Sequence, residues 1–263
     1  MFFLTTDPLW LSGLIITVPL VLMGILGPIV VRRYVGLENL RANNEVAGFK
    51  FSVVGVFYAV LLAFAVILVW QRMNDAKSVV LREAGAAQTM YRLAAGLGGG
   101  EGVALQHEIT AYLRTAMASG WPAMQRGNES PDVTQAVNRL YATILAVHPA
   151  DPGRGALFAE ILHQLDRLSQ ARQARLALAG SGVPAILWIA LFVGAVVTIG
   201  FTFFFGTVSL PTQVLMTVLL ALLIASQLWV IVAIDRPYAG PIGIRPQALA
   251  AVMHEHSSTL PTP

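Results

Sequence analysis

NNEVAGFKFSVVGVFYAVLLAFAVILVWQRMNDAKSVVLREAGAAQTMYR, residues Asn43 to Arg92, is the stretch on which the fold turns. A polar approach (Asn43, Asn44, Glu45) leads into an apolar run, Phe51 to Trp70, which passes directly into a charged amphipathic segment. A helix needs roughly 20 apolar residues, at a rise of 1.5 Å each, to cross a ~30 Å hydrocarbon core. The run meets that length. No glycine or proline interrupts Trp70 to Arg82, so one helix is predicted to cross the membrane and continue in water to about Leu97.

The rest of the chain agrees with a mixed architecture. Of 263 residues, 56% are hydrophobic and only 12% charged, with a mean hydropathy of +0.67. That is too apolar for an ordinary soluble domain and too charged for a chain lying wholly in lipid. The net charge of +3 could suit nucleic acid, but no basic block or aromatic-interleaved basic stripe is present, and the charges read as loop residues that set topology. Cysteine is absent, which excludes disulfides, thiolate metal sites and cysteine nucleophiles.

Leu11 to Val31 is too long for a cleaved signal and lacks a basic segment before it, so it is predicted to be a retained first span, kinked at Pro19 or Pro28. Pro184 to Gly206 and Gln213 to Ile234 are the third and fourth spans, joined by a tight connection. Turn signals at GLGGGEG (Gly96 to Gly102), GNESPD (Gly127 to Asp132) and HPADPGRG (His148 to Gly155) cut the insert between spans two and three into four helical pieces. Ser130 and Pro131 mark the start of one piece as N-cap and first helical residue, and Val133, Val137, Leu140, Ile144 and Val147 then fall on one face. Another carries Leu157, Phe158, Ile161, Leu165 and Leu168 before an arginine-rich exit through Arg167, Arg172 and Arg175. No stretch alternates with a period of two. The prediction is an all-α membrane protein with four transmembrane helices and a helical bundle outside the membrane. Residues 1–70 form the first hairpin, 71–182 the bundle, 183–235 the second hairpin and 236–263 a flexible tail, with a helix open to it through Ala248 to Met253.

An even number of spans puts both termini and the insert on one side. Arg72, Lys77, Arg82, Arg167, Arg172, Arg175, Arg236 and Arg245 flank span ends on that side, against Arg32, Arg33, Arg41 and Lys50 on the other. The positive-inside rule therefore makes the insert cytoplasmic, although Asp7 before the first span and Arg32-Arg33 after it argue the opposite way.

The inventory for chemistry is thin. The four spans hold no Asp, Glu, His or Arg, and Lys50 can snorkel from its end position. Proton-coupled transport and intramembrane hydrolysis normally keep an ionisable group at membrane depth. Thr198, Thr202, Thr217, Ser226 and Gln227 suit hydrogen bonding between helices. Histidines 107, 148 and 163 are scattered, His254 and His256 lie in the tail, and no helical His pair at i and i+4 occurs. No hydrolase, P-loop or dinucleotide motif is present. Neither a metal, a cofactor nor a catalytic residue is assigned.

What remains is angular. At 100° per residue, Phe57, Leu61, Phe64 and Leu68 share one stripe, and Gln71, Asp75, Ser78 and Arg82 are read as its continuation. Ala59, Ala63, Val66 and Trp70 share the opposite stripe, read as continuing through Met73, Val80, Ala84, Ala87 and Tyr91. The second stripe is small and apolar and is expected to pack, with Ala59 and Ala63 as a small-xxx-small pair. The first switches from large apolar to polar at the membrane edge. It faces either lipid and then solvent, or the axis of an oligomer, where Phe57, Leu61 and Phe64 would form an apolar neck opening into a vestibule at Asp75 and Arg82.

NNEVAGF (Asn43 to Phe49), VFYAVLLAF (Val56 to Phe64), Trp70, Arg82-Glu83-Ala84 and Tyr91-Arg92 resemble a family of bacterial integral membrane proteins carrying a bestrophin-like domain. Trp121-Pro122, Asp166-Arg167 through Arg175, Val183-Pro184 with Trp188, and Asp235-Arg236-Pro237 extend the likeness over nearly the whole chain. More loosely, Gly55 to Ala76 is similar to the second span of true bestrophins, which are pentameric anion channels with four spans per subunit, a helical cytoplasmic region and an apolar neck. The resemblance implies a homo-oligomer in the bacterial inner membrane, passing small anions such as chloride. Phe57, Leu61 and Phe64 would be the neck, Asp75 and Arg82 the vestibule, and Asn43, Asn44 and Glu45 the pore mouth. The acidic cluster that binds calcium in animal bestrophins has no counterpart here, because Glu255 is the only acid after Asp235. The rival expectation is a membrane-anchored interaction or sensory scaffold whose insert binds a partner. An enzyme would need Glu83, Asp166 and Arg172 to meet in a cleft; the other role for those residues is as buried ion pairs.

Overall fold

A computed structural model of the protein describes residues 9–42, 44–149, 151–239 and 242–259. Its helices in chain order are α1 (Leu9–Val35), α2 (Leu37–Ala42), α3 (Asn44–Leu97), α4 (Gly99–Thr115), α5 (Trp121–Gln125), α6 (Pro131–Leu145), α7 (Pro152–Gly180), α8 (Ala185–Phe201), α9 (Leu210–Ile234) and α10 (Gln247–Thr259). No strand occurs among the described residues. Four helical stretches are long and apolar enough to cross a membrane, and a helical bundle lies between the second and third. α3 is unbroken over 54 residues, about 80 Å at 1.5 Å per residue.

The chain divides into two compact units. The first comprises the spans: α1, α2, the part of α3 up to Arg72, α8 and α9. α1 and α9 make the most extensive pairing. Their contact is close because Gly24 of α1 lies against Ala221 and the backbone of Thr217 and Val218. The Trp229 indole N–H donates to the Leu9 carbonyl at 2.9 Å and ties the two helices at one end. α1 runs through Pro19 and Pro28 as one continuous helix, so neither proline breaks it. At the end of α9, Asp235 is buried and accepts from the Val183 backbone N–H at 2.7 Å, which joins the close of the fourth span to the approach to the third.

The second unit is the bundle, built from α3 beyond Met73, α4 to α7 and α10. Val133, Val137, Leu140, Ile144 and Val147 are all buried, as their spacing requires, and Ile161, Leu165 and Leu168 face them in the same core. Ser130 holds the N-cap position of α6 in extended backbone, but its hydroxyl makes no capping bond; it lies 3.2 Å from the Ser119 hydroxyl instead. α4 passes through a π-turn at Ala116–Gly120 into α5, which ends at Gln125. The wider turn shifts the hydrogen-bond register, with the Trp121 N–H reaching the Ala116 carbonyl. The proline's missing donor then falls at the start of α5, where no partner is needed.

Within the stretch predicted as a tail, the helix extends beyond the Ala248 to Met253 segment that was expected. α10 covers Gln247–Thr259, and its Leu249 and Val252 are buried in the bundle core. Burial of those two apolar side chains outweighs the turn signals around Pro237 and Gly243 that suggested a loose end. Residues 260–263, also assigned to that tail, lie outside the described residues.

Candidate functional site

Within the first unit α3 buries a single stripe centred on Tyr58, with Ala65 and Val69. The Tyr58 hydroxyl donates to the Leu191 carbonyl at 3.2 Å, and its ring covers Gly194, where a Cβ would sit 2.5 Å from a ring carbon. A phenol buried in a membrane helix needs both a hydrogen-bond partner and room for its ring. α8 supplies them at Leu191 and Gly194, which fixes the rotation of α3.

That rotation corrects the predicted packing face. Ala59, Ala63 and Trp70 are exposed, and at 100° per residue they lie about 120° around the helix from Tyr58. Met73, Val80, Ala84, Ala87 and Tyr91 are buried, but they centre roughly 50° from Tyr58. The two sets do not form one stripe. Of the other predicted stripe, Phe57, Phe64, Asp75 and Arg82 fall within about 20° of one another, with Leu61 and Leu68 about 30–50° to one side and Gln71 and Ser78 about 30–50° to the other. Phe57 is 75% exposed and Phe64 68%, Leu61 is half-buried between them, and Asp75 and Arg82 are exposed. Large aromatic side chains thus stand in a row that the chain's own helices leave uncovered.

At the mouth candidates, Asn43 lies outside the described residues and Glu45 is exposed. Asn44 is committed to the fold. Its amide donates to the Gly206 carbonyl at 2.9 Å and accepts from the Gly206 N–H at 2.8 Å. Gly206 is required there, because a Cβ would lie 2.6 Å from the Arg41 backbone nitrogen. Arg32 donates to the Thr207 and Val208 carbonyls, and Gln213 to the Phe205 carbonyl. Three side chains therefore hold the connection between α8 and α9.

In the bundle, Glu83, Asp166 and Arg172 do not meet. Glu83, 0% exposed, pairs with Arg175, 2% exposed. The guanidinium donates from Nε to one carboxylate oxygen at 2.6 Å and from Nη2 to the other at 3.0 Å, and the Tyr112 hydroxyl donates to Glu83 at 2.5 Å. The Trp121 ring lies 5.1 Å from the guanidinium carbon, Tyr238 packs edge-on against Trp121, and the Tyr238 hydroxyl donates to the Ala76 carbonyl at 3.1 Å. Burial, with the Glu83 charge adding to it, holds the Tyr112 phenol well above its ordinary range. Arg172 instead donates to Glu129 at 2.5 Å and to Thr134, Thr134 donates to Glu129 at 3.0 Å, and the bonds that Glu129 accepts from Arg172 and Thr134 hold its carboxyl below its usual value. Asp166 accepts from Gln170 at an exposed position. A bidentate pair sealed under aromatic rings has the form of a structural element. The sequence carried a signal for it, since Arg175 continues the stripe of Leu165, Leu168 and Arg172 at helical spacing.

Among the described residues no group of three or more His, Asp or Glu could hold a metal ion. Glu255, the one acid after Asp235, accepts from Gln88 and Arg92.

Residues 18–249 match the model of the Bestrophin-like domain. The chain belongs to the bestrophin-like family. No curated protein matches its sequence. Among solved structures, the bestrophin-like chain is similar to a bacterial Bestrophin homolog from Klebsiella pneumoniae carrying a point mutation, at 15% identity and a TM-score of 0.72, over 93% of this chain and 98% of that one. A further structure of the Klebsiella pneumoniae homolog, phased with zinc, gives 14% identity and a TM-score of 0.69 over 93% and 99% of the two chains. A structure described only as a membrane protein gives 15% and 0.69 over 89% and 94%. At such identities the likeness is one of fold, and the protein is a multi-pass membrane protein of bestrophin fold.

Proposed function

We propose that this bestrophin-like protein is a homo-oligomeric channel for small anions such as chloride, and not an enzyme. The observation that carries the reading is the uncovered aromatic row on α3. Phe57 and Phe64, with Leu61 between them, form a face that the chain's own spans leave open, in phase with Asp75 and Arg82 further along the same helix. Set around a common axis, five-fold if the arrangement follows true bestrophins, these side chains make an apolar constriction of the kind that opens and closes by wetting. Asp75 and Arg82 line the wider polar vestibule beyond it. Glu45 stands at the mouth, while Asn44 serves the mouth by holding the α8–α9 connection. The insert and both termini face the cytoplasm of a bacterial inner membrane, as the charges at the span ends favour.

Purified protein in liposomes tests the proposal. Chloride efflux is expected, and Phe57→Ala or Phe64→Ala should raise it several-fold by widening the constriction. Absence of both anion and cation flux, together with a monomeric particle, would overturn the channel in favour of a membrane-anchored scaffold.

A further inference from the structure

We propose that a groove between α3, α8 and α9 holds one acyl chain of an anionic phospholipid, with the headgroup beside Arg32 and Gln213. Two recesses, of about 710 Å³ and about 340 Å³, adjoin one another, with Phe51 and Leu220 in the walls of both. From Gln213 to Gln227 the groove follows α9 for about 21 Å at 1.5 Å per residue. That exceeds the roughly 15 Å depth of one leaflet, half of a ~30 Å hydrocarbon core.

The floor of the groove is made of small residues that the chain does not use for its own packing. A Cβ on Gly55 would meet nothing within 4 Å, and Ala59 and Ala63 are exposed. Towards mid-membrane the walls are Val66, Leu223 and Ile224. Two polar atoms without partners line the groove. Thr198 and Gln213, each 3% exposed, line the groove, and the Thr198 hydroxyl and the Gln213 amide oxygen have no hydrogen-bond partner. Gln213 cannot turn to find one, because its amide nitrogen is held by the Phe205 carbonyl at 2.6 Å. Gln213 lies three positions inside the start of α9, by the α8–α9 connection, and Thr198 lies deeper, in the recess lined by Val66 and Ile224. A buried polar atom inside a membrane is costly unless something brings it a hydrogen bond.

Charge selects the occupant. Arg32 donates to the carbonyl of Thr207, a groove-lining residue, and to that of Val208. It makes no ion pair among the described residues. A cation and the unsatisfied Gln213 amide oxygen at one end, with mostly apolar walls beyond, match a phosphate, a hydroxylated headgroup and a chain in that order. A helix from a second copy would meet the small floor equally well but would leave Arg32 without an anion.

The test uses the full chain in liposomes containing phosphatidylglycerol with a photoreactive diazirine halfway along one acyl chain. Crosslinks are expected on peptides covering residues 55–67 and 213–227. Unlabelled phosphatidylglycerol should compete at least tenfold better than phosphatidylcholine, and Arg32→Gln should erase that preference. Ala59→Phe with Ala63→Phe fills the groove and should cut labelling at least fivefold with the particle size unchanged. Labelling spread evenly over the lipid-facing helices, or equal competition by the two lipids, overturns the proposal. So does a change in subunit number on filling the groove, which would show a second copy there. If the filled variant does not fold, the labelling pattern and competition on the unmodified chain decide alone.

Discussion

Replacing Arg175 by methionine removes the guanidinium from beneath Trp121 and leaves the fully buried Glu83 carboxylate with the Tyr112 hydroxyl as its remaining partner. Breaking a buried pair from one side costs about 3–5 kcal/mol, because the surviving charge has lost both its counter-ion and the water that solvated it in the unfolded chain. For a chain of this size that corresponds to a fall in Tm of roughly 6–20 °C. Glu83→Gln in the same background removes the stranded charge and should recover most of the loss. Replacing both members of a buried pair is often neutral and can be stabilising by about 1–4 kcal/mol. Thermal unfolding in detergent micelles, followed through tryptophan fluorescence with Trp121 as the local reporter, measures all three variants. If Arg175→Met lowers stability by less than about 1 kcal/mol, or the double variant falls by the sum of the two single losses, Glu83 and Arg175 do not act as the coupled pair that the geometry describes.

Acid and alkali should each weaken the bundle for a separate reason. The Glu129 carboxyl is held below its ordinary value of 4.5, so its pairing with Arg172 stabilises the fold above that pH, and the gain is lost as pH falls through the lowered value. The Tyr112 phenol is held well above 10.0, so its contribution is complete below pH 10 and fades as pH climbs toward the raised value; Tyr112→Phe should remove that alkaline limb from a Tm-against-pH profile. Gly194→Ala pushes a methyl into the Tyr58 ring and should cost about 1–3 kcal/mol. That cost should vanish in a Tyr58→Leu background, as a double-mutant cycle by thermal unfolding would show. Asn44→Ala cuts both bonds to Gly206 and should speed amide exchange at Gly206 by roughly tenfold or more, read by hydrogen exchange with mass spectrometry.

The spans and the bundle were legible because their signals are local. A run such as Phe51 to Trp70 has few alternatives to a membrane helix, and Val133 to Val147 repeats at 3.6 residues whatever it packs against. The rotation of α3 was not legible. It depends on Tyr58 meeting Gly194 and the Leu191 carbonyl, some 133 residues away, and an apolar helix offers no polar face from which to read its phase. The docking of α10 was not legible for a related reason: Leu249 and Val252 fit a core that does not exist until α3 to α7 have assembled. The aromatic row itself could be read, because Phe57, Phe64, Asp75 and Arg82 lie on one helix. Which of Arg167, Arg172 and Arg175 would be buried could be read only by extending the Leu165–Leu168 stripe four and seven residues beyond Leu168.

The two arginine pairs of α7 also settle a question that its leucines leave open. A stripe made of Ile161, Leu165 and Leu168 looks much the same after a slide of one helical turn, so apolar burial alone would tolerate α7 in more than one seating. The acids do not. Arg175 meets Glu83 while Arg172, three residues earlier, meets Glu129, and a slide that carried either arginine into the other's place would strand one charge inside the bundle. The pairs act as two keys cut for two locks at a fixed separation, giving α7 one seating among several that its oily face would accept.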